Sequence, residues 1–97
     1  MKTALVSALA KQDLTNIWLY SLQTWDEAQA DHYFDQLSNT IDLLVSTPLM
    51  GRERHEFNPV VRIHHHASHL IVYVVNQHGI EIIRVLHETM DIDVQLE

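Results

Sequence analysis

The 97 residues make one small domain, long enough for a single two-layer core and too short for two. Nearly half are hydrophobic (46%), with two glycines and two prolines, which excludes a disordered chain, and the lack of cysteine excludes disulfides and thiol chemistry. Thirteen acidic against six basic side chains, a formal charge of −7, disfavour direct nucleic-acid binding and favour protein partners.

The opening "MKTALVSALAKQ" imitates a secretion signal. Its apolar run, residues 4–10, is short, contains Ser7 and meets charge at once, so a cytoplasmic location is expected. No run approaches the ~20 apolar residues that span a bilayer, so no membrane association is expected. Residues 2–6 read instead as a first strand, with Ser7 placed to cap a helix. In that helix Ala10, Leu14, Ile17, Trp18, Ser21, Leu22 and Trp25 recur at helical spacing, leaving Lys11, Asp13, Asn16 and Gln23 on other faces. Asp26 with Gln29 has the form of a capping box for a second helix. Its stripe is Ala30, Tyr33, Phe34, Leu37, Ile41, Leu44 and Val45, and it should stop before Pro48. At 1.5 Å per residue each helix spans roughly 27–30 Å, and the tight link makes the two antiparallel neighbours.

Past Pro48 the period changes. "TPLMGRERHEFNP" reads as a loop, and three strand-like runs follow: Val60–His65, His69–Val75 and Ile80–His87. "NQHG" between the last two is a hairpin turn in which Gly79 can take positive φ. The runs are rich in Val and Ile at successive positions, so both faces of the sheet should be at least partly covered. The predicted class is α+β: order β-α-α-β-β-β, a helical hairpin on one face of a mainly antiparallel sheet. The tail "DIDVQLE" reads equally as a short helix or as disorder.

This order, with its motifs, resembles the ParE branch of the RelE/ParE toxins over nearly the whole chain. "RVLHETMD" is similar to the segment that closes the ParE sheet, through Arg84, Leu86, His87, Met90 and Asp91. "TPLMGRERHEF" resembles the family's Pro-x-x-Gly-Arg loop through Pro48, Gly51, Arg52 and Glu56. Arg62, the "SHLIVY" run with His69 and Tyr73, and "DLTNIWLY" with Asp13, Leu14, Ile17 and Tyr20 fit the same pattern in order. The resemblance implies a single toxin domain over residues 1–97, part of a type II toxin-antitoxin pair. It would block DNA gyrase by protein binding, be silenced by a ParD-like ribbon-helix-helix antitoxin, and need no cofactor. Residues expected to meet antitoxin or target are Trp18, Arg52, Arg62, His69, Tyr73, Arg84 and His87.

Two clusters carry competing chemistry. RelE-type relatives share the fold but cleave mRNA on the ribosome, and Arg62, Tyr73, Arg84 and His87 are the set from which such a nuclease would be built. Against it, Arg84 is expected to pair with a carboxylate such as Glu56, and strand alternation puts Arg84 and His87 on opposite faces. The second cluster is "RIHHHASH". On a strand His64 and His66 point one way, roughly 6.5–7 Å apart, a spacing at which two imidazoles can share a metal. A third ligand would have to come from His69, His87 or a carboxylate. The plainer expectation is that His64 is a flat, partly buried filler where ParE-like chains carry an aromatic, while His65 and His66 sit at an exposed turn. Trp18 and Trp25 are expected in the core or against the antitoxin.

Overall fold

The computed structural model describes residues 2–96. The chain runs β1 (Thr3–Val6), α1 (Ala8–Thr24), α2 (Glu27–Ser46), a single 3-10 turn at Pro48–Met50, β2 (Arg52–Arg54), β3 (Val61–His66), β4 (His69–Asn76), β5 (Gly79–His87) and α3 (Ile92–Gln95). The expected β-α-α-β-β-β order is present, with three additions. The loop after Pro48 contains the 3-10 turn and the three-residue β2, and the tail forms α3.

Capping sets both helix starts. The Ser7 hydroxyl accepts from the Ala10 amide at 3.0 Å and donates to the Ile83 carbonyl at 2.7 Å, so one side chain starts α1 and ties it to β5. The Asp26 carboxylate accepts from the Gln29 amide at 2.8 Å, and Thr47 closes α2 just before Pro48. Trp25 is not a core residue: it is the C-cap of α1 and 57% exposed, because the helix ends before its stripe reaches the sheet again.

The five strands lie in the order β1-β5-β4-β3-β2. All neighbours are antiparallel except β1, which joins β5 in parallel with Thr3 opposite Gly79 and Val6 opposite Ile82. The helical hairpin covers one face, packing Ala10, Ile17, Leu37 and Leu44 on Ile71, Tyr73, Ile80, Ile82 and Val85. The other face, around Val61, Val72 and Leu86, is covered by Phe57 and by Ile92 and Leu96 of the tail. A bulge between Val72 and Tyr73 pairs them with Arg84 and Ile82 and leaves Ile83 as the extra residue of β5. It shifts the inward set of β5 from Ile80 and Ile82 to Val85, and Leu86 turns to the second face.

The β3–β4 turn places Ala67 at φ 51°, in the left-handed region that costs a Cβ-bearing residue about 1–2 kcal/mol. Ala67→Gly should remove that strain, offset in part by the greater freedom of glycine in the unfolded chain. The expected result is a gain of about 0.5–1 kcal/mol, read as a higher urea midpoint at unchanged slope. No gain, or a loss, would show that the turn is not strained.

Candidate functional site

Three side-chain clusters hold the residues singled out by sequence. The first joins α1 to the C-terminal half of β5. Beyond Val6, β5 has lost its β1 neighbour, and Asp13 takes over the vacated edge. Its Oδ2 accepts from the Val85 amide at 3.0 Å and from Arg84 Nε at 2.8 Å, while Oδ1 accepts from Arg84 Nη2 at 2.9 Å. Arg84 Nη1 continues to the Gln95 carbonyl at 3.3 Å, joining α3 to the same node. The hydrogen-bonded Asp13 carboxylate holds the Arg84 guanidinium above its ordinary pKa against the opposing effect of burial. Arg84 therefore pairs with Asp13, not with Glu56, whose carboxylate lies 2.7 Å from Arg54. Asp13 also corrects the helical wheel. It lies between Ala10 and Ile17 on the inner side of α1, because a carboxylate there meets an unpaired strand amide and an arginine together. The available signal was its spacing, three residues after Ala10 and four before Ile17.

The second cluster locks the Pro-x-x-Gly-Arg loop. Tyr73, 0% exposed, donates its hydroxyl proton to the Pro48 carbonyl at 2.7 Å and accepts from the Gly51 amide at 2.9 Å. Burial raises its pKa. Arg62, opposite Tyr73 on β3, donates through Nη1 to the Leu49 and Gly51 carbonyls at 3.0 and 2.7 Å, and through Nη2 to Glu53 at 2.8 Å. Gly51 is required by close approach: a Cβ there would lie 2.8 Å from Tyr73 Cε1. The clamp leaves Leu49, Met50 and Arg52 exposed at the loop's outer side.

The third cluster is a row of imidazoles. The strand register sets His66 opposite His69 and His69 opposite His87, on the face that carries α2. His66 is thus not a turn residue: it ends β3 and its Nδ1 lies 3.0 Å from Thr40 Oγ1 of α2. His65 is exposed, with Nε2 2.9 Å from Glu88. His64 shares the face of His66, yet no three His, Cys, Asp or Glu side chains converge as metal ligands among the described residues.

The four candidate nuclease groups are consequently spread over these clusters. Arg62 and Tyr73 hold the loop, Arg84 holds α1 and α3, and His87 has Nδ1 2.8 Å from Thr89 Oγ1. Trp18 is half-buried, its indole N–H 3.3 Å from Asp31 Oδ1. With Leu14 and Phe34 it lines a groove of about 660 Å³ along the α1–α2 hairpin, flanked by Lys11, Asp31 and Asp35.

The family described as "ParE toxin of type II toxin-antitoxin system, parDE" matches residues 5–92. The chain belongs to the ParE toxins. Toxin ParE1 of Caulobacter vibrioides is 38% identical over 91 residues, covering 94% of each chain. Toxin ParE1 of Mycobacterium tuberculosis is 36% identical over 90 residues, covering 92% of each. The ParE fold is seen again in a solved structure titled "Chromosomal ParDE TA system from P. aeruginosa", with TM-score 0.73 at 19% identity over 90% of this chain and 96% of that one. As a ParE toxin, the chain is the toxin component of a type II toxin-antitoxin system. The ParE match takes in every cluster residue from Asp13 to Thr89; of the Arg84 contacts, only the Gln95 carbonyl lies beyond it.

Proposed function

We propose that this ParE toxin is a single-domain cytoplasmic protein that arrests growth by binding DNA gyrase, without chemistry of its own. A ParD-like ribbon-helix-helix antitoxin silences it. The observation that carries the non-enzymatic reading is Tyr73, buried with its hydroxyl proton given to Pro48 and its oxygen accepting from Gly51. A nuclease would need that hydroxyl, with Arg62 and Arg84, at a substrate phosphate, and all three are engaged within the fold. The acidic excess argues the same way, since a polyanion held in place needs neutralising cations.

Two surfaces support antitoxin capture. The α1–α2 groove has an apolar floor for the ridge of an amphipathic helix, and the outer edges of β1 and β2 lack a neighbouring strand among the described residues. No helix among the described residues is long and apolar enough to cross a membrane.

Induced expression should lower DNA synthesis before protein synthesis. Supercoiling by purified gyrase should be inhibited, and the product of the adjacent gene should restore it. Rapid translational arrest with position-specific mRNA cuts would make the chain a ribosome-dependent endoribonuclease instead. Loss of about 10²–10⁴-fold of that cutting in a folded His87→Ala protein would locate the general acid or base. Tight antitoxin binding with neither effect would leave only an antitoxin-binding homologue.

A further inference from the structure

The "HHHASH" run has no part in the function above, yet the fold uses it in a specific way. Tyr33 of α2 lies over the gap between His66 and His69, its ring centroid 5.7 Å from one and 5.5 Å from the other. Its hydroxyl lies 2.5 Å from His69 Nδ1, and His87 meets His69 edge-on at 5.5 Å. Thr40 Oγ1 lies 3.0 Å from both the Gln36 carbonyl and His66 Nδ1, and with its proton on the carbonyl it accepts from His66 Nδ1–H. The neutral ring then leaves Nε2 bare, and that atom is buried with no partner. A second proton there would bury an N–H⁺ with nothing to receive it.

We propose that the His66–His69–His87 row is an acid-sensitive latch: neutral imidazoles seat α2, through Tyr33 and Thr40, on the ends of β3 and β4, and protonation unseats it. Each member works against charge on the next. Protonated His69 would carry a proton on Nδ1 facing the Tyr33 hydroxyl and place a cation between two other imidazoles.

The surrounding charges do not compensate. From α2, Tyr33 and the uncharged Thr40 meet the row, and burial pushes the Tyr33 pKa up, so it stays neutral. On β3, His64 is a further potential cation beside His66, which burial and His64 together hold below the ordinary imidazole value. Glu88, after β5, favours the cation at His69 but is the weakest influence there, and it already meets His65. From α1, Asp13 and Tyr20 line the pocket that holds His69 and His87, with the Asp13 carboxylate committed to Arg84. Burial first, then His87 and His66, push the His69 pKa from 6.5 down to about 4.

The unfolded chain therefore takes up a proton at His69 near pH 6.5, the folded chain only near pH 4. Stability is complete above pH 6.5 and falls as pH drops toward 4. Two measurements on the full chain test this. From pH 7.5 to 5.0 the folding equilibrium constant should drop about 30-fold through His69 alone, above the range where ordinary carboxylates titrate. Amide protection in α2 from Tyr33 to Thr40, corrected for intrinsic rate, should fall with it. His69→Gln, which keeps an acceptor for Tyr33 but cannot be charged, should remove at least tenfold of that drop. By NMR, the wild-type His69 ring should still be neutral at pH 5, a readout that stands even if the variant does not fold. A His69 ring half-protonated near pH 6.5, or an unchanged drop in a folded His69→Gln protein, overturns the latch.

Discussion

Asp13→Ala is expected to destabilise the protein by about 3–5 kcal/mol, a large part of the ~5–15 kcal/mol that holds a domain of this kind together. The substitution removes three hydrogen bonds at once. It leaves the Arg84 guanidinium without its counter-charge and the Val85 amide without an acceptor, at side chains only 14% and 13% exposed. Breaking one side of a desolvated pair costs more than the pair contributes, because the remaining charge stays out of water. Asp13→Asn keeps the shape and one carbonyl acceptor, and should fall between wild type and alanine. In a double-mutant cycle Arg84→Met should lose most of its effect in the Asp13→Leu background, since apolar replacement of both partners leaves no orphaned charge. Urea midpoints at unchanged slope measure all four proteins. An Asp13→Ala loss under about 1 kcal/mol would rank the contact with exposed ion pairs and remove it as the link between α1, β5 and α3.

The same residue marks where sequence reasoning stops. Period and capping located both helices, because Ser7 and Asp26 act within three residues of themselves and the apolar stripes follow the helix geometry. The loop motif and the closing segment were legible through their likeness to ParE. Pairing across long sequence separation was not. Asp13 meets Arg84 across 71 residues, and nothing local distinguishes it from Glu56 as the partner. The short β2 lacked a periodic signal, since three residues with two arginines read as loop. Its strand character comes from the register that sets Arg52 opposite Ile63 and Arg54 opposite Val61. His66 was misplaced for the same reason. Alternation gave its face, but only the packing of α2 decided that this face is covered at the strand's end.

Gly79→Ala should cost on the order of 4 kcal/mol, made of about 1–3 for a side chain held in a conformation suited to glycine and about 1–3 for overpacking. Gly79 sits at φ +135° directly opposite Thr3, and a Cβ there would collide with the Thr3 carbonyl oxygen and lie 2.7 Å from its amide nitrogen. Those are backbone atoms, so no rotamer change relieves the contact, and β1 has to move. Its anchors go with it: the Thr3 amide to the His78 carbonyl at 3.0 Å and Lys2 Nζ to the Gln77 carbonyl at 2.6 Å. Ala67, the other turn residue with positive φ, is predicted to respond in the opposite direction to the reverse exchange, so the pair tests backbone conformation rather than turn location. The measurement is the urea midpoint of Gly79→Ala together with amide exchange in β1. A change under about 1 kcal/mol with β1 still protected would mean the strand tolerates a side chain at its seat. The variant also divides the partner surfaces. β1 carries one of the sheet's two outer edges, while the groove over Leu14, Trp18 and Phe34 lies on the hairpin. A folded Gly79→Ala protein with β1 released should lose a partner that adds a strand there and retain one that docks a helix between α1 and α2.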